Sequence, residues 1–479
     1  MKKPTSIFFV TFLLIFSDLS FSQEPGINGE WTLKQCIDYA LDHNLRVKQA
    51  GLNSEISKQN LLQSKAQALP NLNGYLTHNY NFGQTIDPYT NQFATDRVQS
   101  NNFALSSSVT LFNGFQTLNN FRQNQLSYLA GKSEEEKMKF DISINIASAY
   151  LIILYSEEAV VTAKNQSAIT GLQLSRMEKM VNAGALPKSK ILELEAQMAL
   201  EELNVVNAEN QKDLSYLTLK QLLDIDAAKE LKIAQPEILI SAEMSIKSTP
   251  GQIYDAALSI LPEIKTAEFH LLGSERTLKI AQGGMSPRLS LQGSIATGFS
   301  GLRKDIISVT PTGYKASGYF TATGVEVVEP TYNVQSKVRP FNNQINDNFN
   351  KSIGLNLSIP IFNSLQVKTN ISKAKIARQK AEYDLAITKN QVQKNVQQAY
   401  ADALAALKKY NATKKSLEAL TESFKYADKR FSVGDINSVE YSDAKNKLAK
   451  VQSDLLQAKY DFIFKQKILD VYQGKALVL

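Results

Sequence analysis

From Leu365 to Phe431 the chain contains neither proline nor glycine. Within that run Leu385, Val392, Val396, Ala399, Ala403, Leu407 and Tyr410 recur at steps of three, four and seven, the periodicity of a helix with one apolar stripe. At ~1.5 Å per residue this predicts a rod of roughly 100 Å, longer than a globular core can shelter. Gly434 interrupts the rod, and a second helix is expected from Val439 onward. Just before the rod, Ile353, Leu355, Leu357, Ile359 and Ile361 alternate with Gly354, Asn356, Ser358 and Pro360. That is the two-residue period of a strand with one apolar face. Phe362-Asn363-Ser364 marks a sharp exit from it.

This strand-plus-rod unit occurs twice. Asp38, Ala40, Leu41, Lys48, Ala50, Pro70 and Leu72 return as Asp255, Ala257, Leu258, Lys265, Ala267, Pro287 and Leu289, at a constant offset of 217. Farther on the offset is 250: Phe112-Asn113 returns as Phe362-Asn363, Asn145, Ala149 and Tyr150 as Asn395, Ala399 and Tyr400, and Gly184 as Gly434. One loop has grown by the difference. Two offsets, each matched at several positions, define an internal duplication. Each half reads helix, strand, loop, strand, long helix, turn, helix.

In chain order, Trp31 to Leu69 is expected to be one helix, ended by Leu69-Pro70. In the next stretch Leu72, Gly74, Leu76, His78, Tyr80 and Phe82 share one strand face, and Asn71, Asn73, Tyr75, Thr77, Asn79 and Asn81 the other. Four such strands are expected, at 71–83, 102–112, 288–299 and 352–362. A strand with apolar residues toward lipid and Asn/Thr toward water needs about 9–11 residues to cross a bilayer. The loop over Gln84–Asn101 is polar and turn-rich. Its counterpart, Ser300–Lys351, is long enough to be either functional or mobile. The first rod is expected from Phe115 to Asn182, with a turn at Gly184-Ala185-Leu186-Pro187 and a return helix over 188–223. Pro236–Ile240 resembles a short strand, and the tail after Gln473 has no evident fold.

The N-terminus begins Met1-Lys2-Lys3, continues apolar from Ile7 to Phe16, and offers small residues at Ser20 and Ser22 before Gln23. This is the pattern of a secretory signal peptide over 1–22, too short to span a membrane. The two repeats then occupy 23–240 and 241–479. No later stretch approaches 18 consecutive apolar residues, so a transmembrane helix is not expected. Cys36 is the only cysteine, which excludes an internal disulfide and any multi-cysteine metal site; it falls on an apolar helix face. His43, His78 and His270 show no ligand spacing. No catalytic, cofactor-binding or metal-binding constellation is visible. The net charge is +7, and between Leu365 and Lys415 eleven Lys/Arg face three acids. For an exported chain that is a solvated helix face rather than a nucleic-acid site.

Four antiparallel strands cannot close a barrel, and an open sheet edge is not tolerated in lipid. Long amphipathic rods also need lateral neighbours. Several copies must therefore assemble. Small barrels commonly have about eight to twelve strands, so two or three copies fit.

The motifs Leu69-Pro70-Asn71-Leu72, Leu111-Phe112-Asn113-Gly114 and Ile361-Phe362-Asn363 resemble the TolC family of outer-membrane efflux channels. So does the turn Phe431-Ser432-Val433-Gly434 followed by Glu440-Tyr441-Ser442-Asp443-Ala444. The likeness extends over essentially the whole mature chain. It implies an α+β membrane protein: a homotrimer with a shared twelve-stranded barrel in outer-membrane lipid and a long periplasmic coiled-coil tunnel. It further implies a passive exit duct of a tripartite efflux or type I secretion system. The implied partners are a periplasmic adaptor (membrane fusion) protein and an inner-membrane transporter of RND, ABC or MFS type. The resemblance places the gate at tip turns containing Gly184, Pro187, Phe431, Gly434 and Ile436, with Glu440 and Asp443 as the acidic pore constriction. Phe431 stands where members often carry tyrosine, and Ile436 where an arginine can sit, which points to apolar closure. A soluble periplasmic coiled-coil adaptor is the rival expectation, and it leaves the four two-faced strands without a purpose.

Overall fold

The computed structural model describes residues 29–95, 97–185, 187–236, 248–475 and 477. The expected signal peptide, the 240/241 repeat boundary and all but Pro236 of the expected strand over 236–240 lie outside these residues.

The chain opens with β1 (Glu30–Trp31), α1 (Leu33–His43) and α2 (Leu45–Ala66). It continues through β2 (Asn73–Asn81), the short β3 (Thr85–Ile86) and β4 (Phe93–Ala94), and the long β5 (Val98–Phe112). The first rod, α3 (Gln116–Asn182), returns as α4 (Ser189–Leu222) and ends at β6 (Lys232–Ile233), which pairs in parallel with β1. The second half runs α5 (Pro250–Ile260), α6 (Pro262–Gly283), β7 (Arg288–Ser300), β8 (Lys304–Phe320), β9 (Glu326–Val338), α7 (Phe341–Asp347) and β10 (Asn350–Ser358). The second rod, α8 (Gln366–Ser432), returns as α9 (Ser438–Tyr472). Both rods are 67 residues long; α8 contains no proline or glycine, and α3 runs without proline through Gly131 and Gly171.

The repetition is visible at the caps. Thr32 and Thr249 each close a capping box with a glutamine three residues on, Gln35 and Gln252. Phe115 and Leu365, which precede α3 and α8, both sit in the left-handed region, at φ 61° and 62°. The core is duplicated as well. Cys36, Ala40 and Val47 in one cluster correspond to Ile253, Ala257 and Ile264 in the other, and Ile142 and Ile146 correspond to Val392 and Val396. The Tyr150 hydroxyl lies in this core within hydrogen-bond reach of the Trp31 and Ala234 carbonyls, at 3.1 and 2.5 Å, tying α3 to β1 and to the chain just after β6. The centre of α3 is apolar enough to cross a bilayer by composition, but half of it is buried here against its neighbours. Cys36 is fully buried, which pushes its thiol up to about 12.

Several expected boundaries move. The single helix over 31–69 is two helices, because Asn44 adopts extended backbone, caps the Arg46 N–H at 2.9 Å and donates its amide to Leu222 O at 2.9 Å. In the second repeat Leu261-Pro262 makes the same break, there signalled by the proline. The strand expected over 352–362 stops at Ser358, ahead of Pro360, which has no N–H for the ladder. The strand expected over 71–83 is trimmed to 73–81, and the one expected from 102 begins at Val98. The long loop expected over 300–351 is ordered: β8 and β9 form an antiparallel ribbon, followed by α7. In the tail, Leu477 packs against the first core cluster.

The main sheet has the order β10-β7-β5-β2, antiparallel throughout. Its register places Leu76, Phe103, Leu105, Leu291, Ile295 and Leu355 on one face. Thr77, Asn102, Ser106, Gln292, Ser294 and Asn356 lie on the other. The bottom of the sheet meets the helices through a glycine contact. Gly114 has φ +64°, and a Cβ there would lie 2.4 Å from Gly283 O; a Cβ on Gly283 would lie 2.5 Å from Gly114 O. We expect Gly114→Val to lower the thermal midpoint of the helical circular-dichroism signal, at a cost of about 1–3 kcal/mol from overpacking alone. An unchanged midpoint would show that this junction relaxes freely.

Candidate functional site

The two helical hairpins end side by side, far from the sheet. Each rod stops in the same way. Gly184 (φ +74°) and Gly434 (φ +82°) take the left-handed conformation that ends a helix. Ala185 N–H reaches back to Met180 O and Asp435 N–H to Arg430 O, both at 2.9 Å, closing equivalent six-to-one bonds. Pro187 lies exposed in the first turn, its carbonyl accepting from Lys190 N–H at 3.1 Å. A cavity of about 330 Å³ separates the turns, with Met177 and Met180 on one side and Phe431, Val433, Gly434 and Ile436 on the other.

Phe431 is not paired through a polar network. It stacks on Tyr441, with centroids 4.5 Å apart and planes at 26°, and Phe424 lies 5.6 Å from the same ring. The Tyr441 ring is buried, and its hydroxyl takes a hydrogen bond from Gln173 on α3. Burial, and secondarily the Asp428 carboxylate, raises the Tyr441 phenol to about 12. Ile436 is half-buried beside this stack.

Glu440 and Asp443 both lie exposed on the face of α9 turned away from buried Tyr441 and Lys445. Each has a local partner. The Glu440 carboxylate accepts from the Asn437 side chain at 2.9 Å, while Asn437 caps the Val439 and Glu440 N–H groups at 3.0 and 2.9 Å. Asp443 pairs with Lys447 at 2.6 Å. Arg430 and Asp435 form a further exposed pair at 2.6 Å across the turn. The two acids thus stand on the same face, while the glycine turns sit at the end of the rod below them.

The sequence reading missed a buried charged node one turn above the aromatic stack. Lys445 of α9 lies 3.2 Å from Glu201 of α4, and both side chains are only 4 % exposed. The fully buried Thr170 hydroxyl of α3 bonds to both partners, and Gln197 adds an amide to Glu201 at 3.0 Å. Desolvation lowers the Lys445 ammonium from its usual range, and Glu201 partly restores it. The available signal was a lysine interrupting the apolar stripe Tyr441, Leu448, Val451. Its partners lie hundreds of residues away, so spacing alone did not reveal them.

The sequence profile of the outer membrane efflux protein family matches residues 36–224 and 253–470. The chain belongs to that family. The outer membrane protein TolC of Escherichia coli is 21% identical over 464 residues, spanning 95% of this chain and 84% of TolC. The alkaline protease secretion protein AprF of Pseudomonas aeruginosa is 21% identical over 99% of this chain and 89% of its own length. Among solved structures, CusC superposes with a TM-score of 0.75 at 17% identity, covering 95% of this chain and 96% of CusC. VceC from Vibrio cholerae gives 0.73 at 15% identity, covering 93% and 96%. The fold is therefore that of the TolC-like channels, α+β, with the helical portion in the periplasm and the sheet in the outer membrane. The function is that of an outer-membrane efflux or secretion channel, not of a soluble adaptor.

Removing one member of the node leaves a buried charge unpaired. Glu201→Leu is expected to cost about 3–5 kcal/mol, and Glu201→Leu/Lys445→Met much less, measured as thermal midpoints. Equal losses in the two variants would show that the ion pair is not what holds α9 to α4. The pH dependence at Tyr441 has a definite sign. Its phenol is raised above 10.0, so the stability it contributes is complete below pH 10 and is lost as pH climbs toward 12. Tyr441→Phe is expected to remove one high-pH phenolate from a spectrophotometric titration and to flatten that alkaline loss.

Proposed function

We propose that three copies join edge to edge into one twelve-stranded barrel, and that their helices form a periplasmic tunnel through which substrates leave passively. The observation that carries this is the bare pair of sheet edges. Among the described residues β10 and β2 each lack one neighbour, while the sheet's outward face is apolar and exposed. Such edges cannot persist in lipid. Because four strands alternate in direction, β10 of one copy and β2 of the next run antiparallel, so the ladder continues unbroken across each seam. The helices support the same assembly. α4 leaves Leu192, Leu203 and Leu214 exposed, eleven residues apart, the spacing of a seam between nearly straight helices. The two repeats, 23–240 and 241–479, then supply alternating staves of the wall.

On this reading the duct has no catalytic centre and takes its substrate from an inner-membrane transporter of RND, ABC or MFS type, through a periplasmic adaptor seated at the tip. Exposed Val433 and Val439 at the turn give such an adaptor an apolar foothold. The constriction is assigned to Glu440 and Asp443. Threefold symmetry would bring three copies of each around one axis, favouring cations. Glu440 carries most of this preference, since Lys447 partly neutralises Asp443. The stack of Phe431 on Tyr441, the turns at Gly184, Pro187 and Gly434, and Ile436 hold the mouth shut by apolar contact.

The test is single-channel conductance in a planar bilayer. Wild type is expected to show a small, cation-preferring conductance. Glu440→Gln/Asp443→Asn should lose the preference, with Asp443→Asn alone losing less. Unchanged selectivity in the double variant would move the constriction elsewhere. Protein that forms no trimer would sink the duct reading itself.

A further inference from the structure

β8 and β9 extend from the end of the sheet opposite the helices, since β7 begins beside α6 and runs directly into the ribbon. Their register runs from Lys304 opposite Val338 to Phe320 opposite Glu326. At ~3.3 Å per residue the ribbon is roughly 40 Å long. Residues opposite one another share a face, and the two faces differ in kind. One carries Ile306, Val309, Val334, Tyr332, Tyr314 and Val328. The other carries the pairs Asp305–Lys337, Ser308–Gln335, Thr310–Asn333 and Lys315–Glu329, with Tyr319–Val327 near the turn, past the last register shift.

The polar face is satisfied within the ribbon: Lys315 and Glu329 pair at 2.8 Å, and Thr312 donates to Thr331 at 3.1 Å. Among the described residues nothing covers the apolar face. Tyr314 is 77% exposed, Ile306 65% and Tyr332 53%. A lone two-stranded ribbon is marginal in water, so this face requires a partner. The base of the ribbon is held firmly. Arg339 bridges Asp305 at 2.9 Å and Asp347 at 2.6 Å, and fully buried Gln344 bonds Ser300 N–H, Ser300 O and Arg339 O within 3.0 Å.

We propose that the apolar faces of three ribbons, one per copy, pack against one another above the barrel mouth. This rests on the trimeric reading above. Two observations choose a second copy over other occupants. The ribbon is inserted between β7 and β10, and β10 is the edge strand, so its root stands beside the seam with the neighbouring copy. The ribbon is also electrically balanced: Lys304, Lys315 and Lys337 offset Asp305, Glu326 and Glu329. Identical copies therefore approach without net repulsion, whereas an anionic lipid surface finds no excess of cations. The contact is face to face rather than strand addition. Pro311 and Pro330 remove ladder donors, and register shifts at Ile306/Ser308, Pro311/Gly313 and Ala316/Tyr319 break the edge.

The experiment places single cysteines in the full-length protein in the outer membrane. Native Cys36 is fully buried and gives no background. Val334→Cys, on the apolar face, is expected to yield covalent dimers with a short bis-maleimide, while Asn333→Cys, on the polar face, stays unlinked. Trimer formation is read separately, by heat-resistant migration of the same samples. Intact trimers in which Val334→Cys stays unlinked, links no better than Asn333→Cys, or links to another envelope protein would overturn the ribbon contact and leave the trimer standing. Absence of the trimer would overturn both readings. As a second readout, Tyr332→Asp/Val334→Asp should keep the trimer and speed trypsin cleavage at Lys315 and Lys337 on intact cells. Unchanged cleavage would also refute the contact.

Discussion

Everything in this molecule follows from the requirement that a backbone in lipid satisfy all of its hydrogen bonds. Four strands give the sheet three internal ladders and two open edges. One chain cannot close that ring, and on the trimeric reading proposed above the membrane part of the channel is completed between copies. The helices have the complementary problem. Each rod is too long for its own chain to cover, and exposed leucines along α4 remain for a neighbour. On that reading the same symmetry solves both.

The tip shows how a long bundle is both held and left adjustable. Charges at the turn, Arg430 with Asp435 and Asp443 with Lys447, are exposed and contribute little to stability. The contacts that fix α9 against the first hairpin lie deeper: the hydrogen bond from Gln173 to the buried Tyr441 hydroxyl and the Lys445–Glu201–Thr170 node. A buried ion pair adds little net stability over an apolar pair, but separating its partners leaves a buried charge unpaired. That arrangement suits an end whose position matters more than its strength.

Periodicity and breakers made most of the fold legible. The rods, the glycine turns and the alternating strand faces were readable because each depends on local spacing. Misplaced boundaries fell where tertiary contacts decide. Asn44 breaks a helix because its side chain reaches both Arg46 and Leu222, and only the first is near in sequence. The ribbon of β8 and β9 was read as a loop because bulges and two prolines disturb its alternation. The glycine turns and the acids at the tip could be located from their motif. The Lys445 node could not, because three helices from distant parts of the chain must meet before it exists.

The pairing of β5 with β7 has a consequence for how the molecule comes into being. The two strands are adjacent in the sheet, yet the chain between them runs out along α3, back along α4 and up through α5 and α6. Bringing their ends together is entropically costly unless those helices have already docked. Helices form from local contacts, whereas this ladder cannot. The docked helices therefore bring β5 and β7 within pairing distance, and on the trimeric reading proposed above the water-filled side of the envelope fixes where the barrel strands meet.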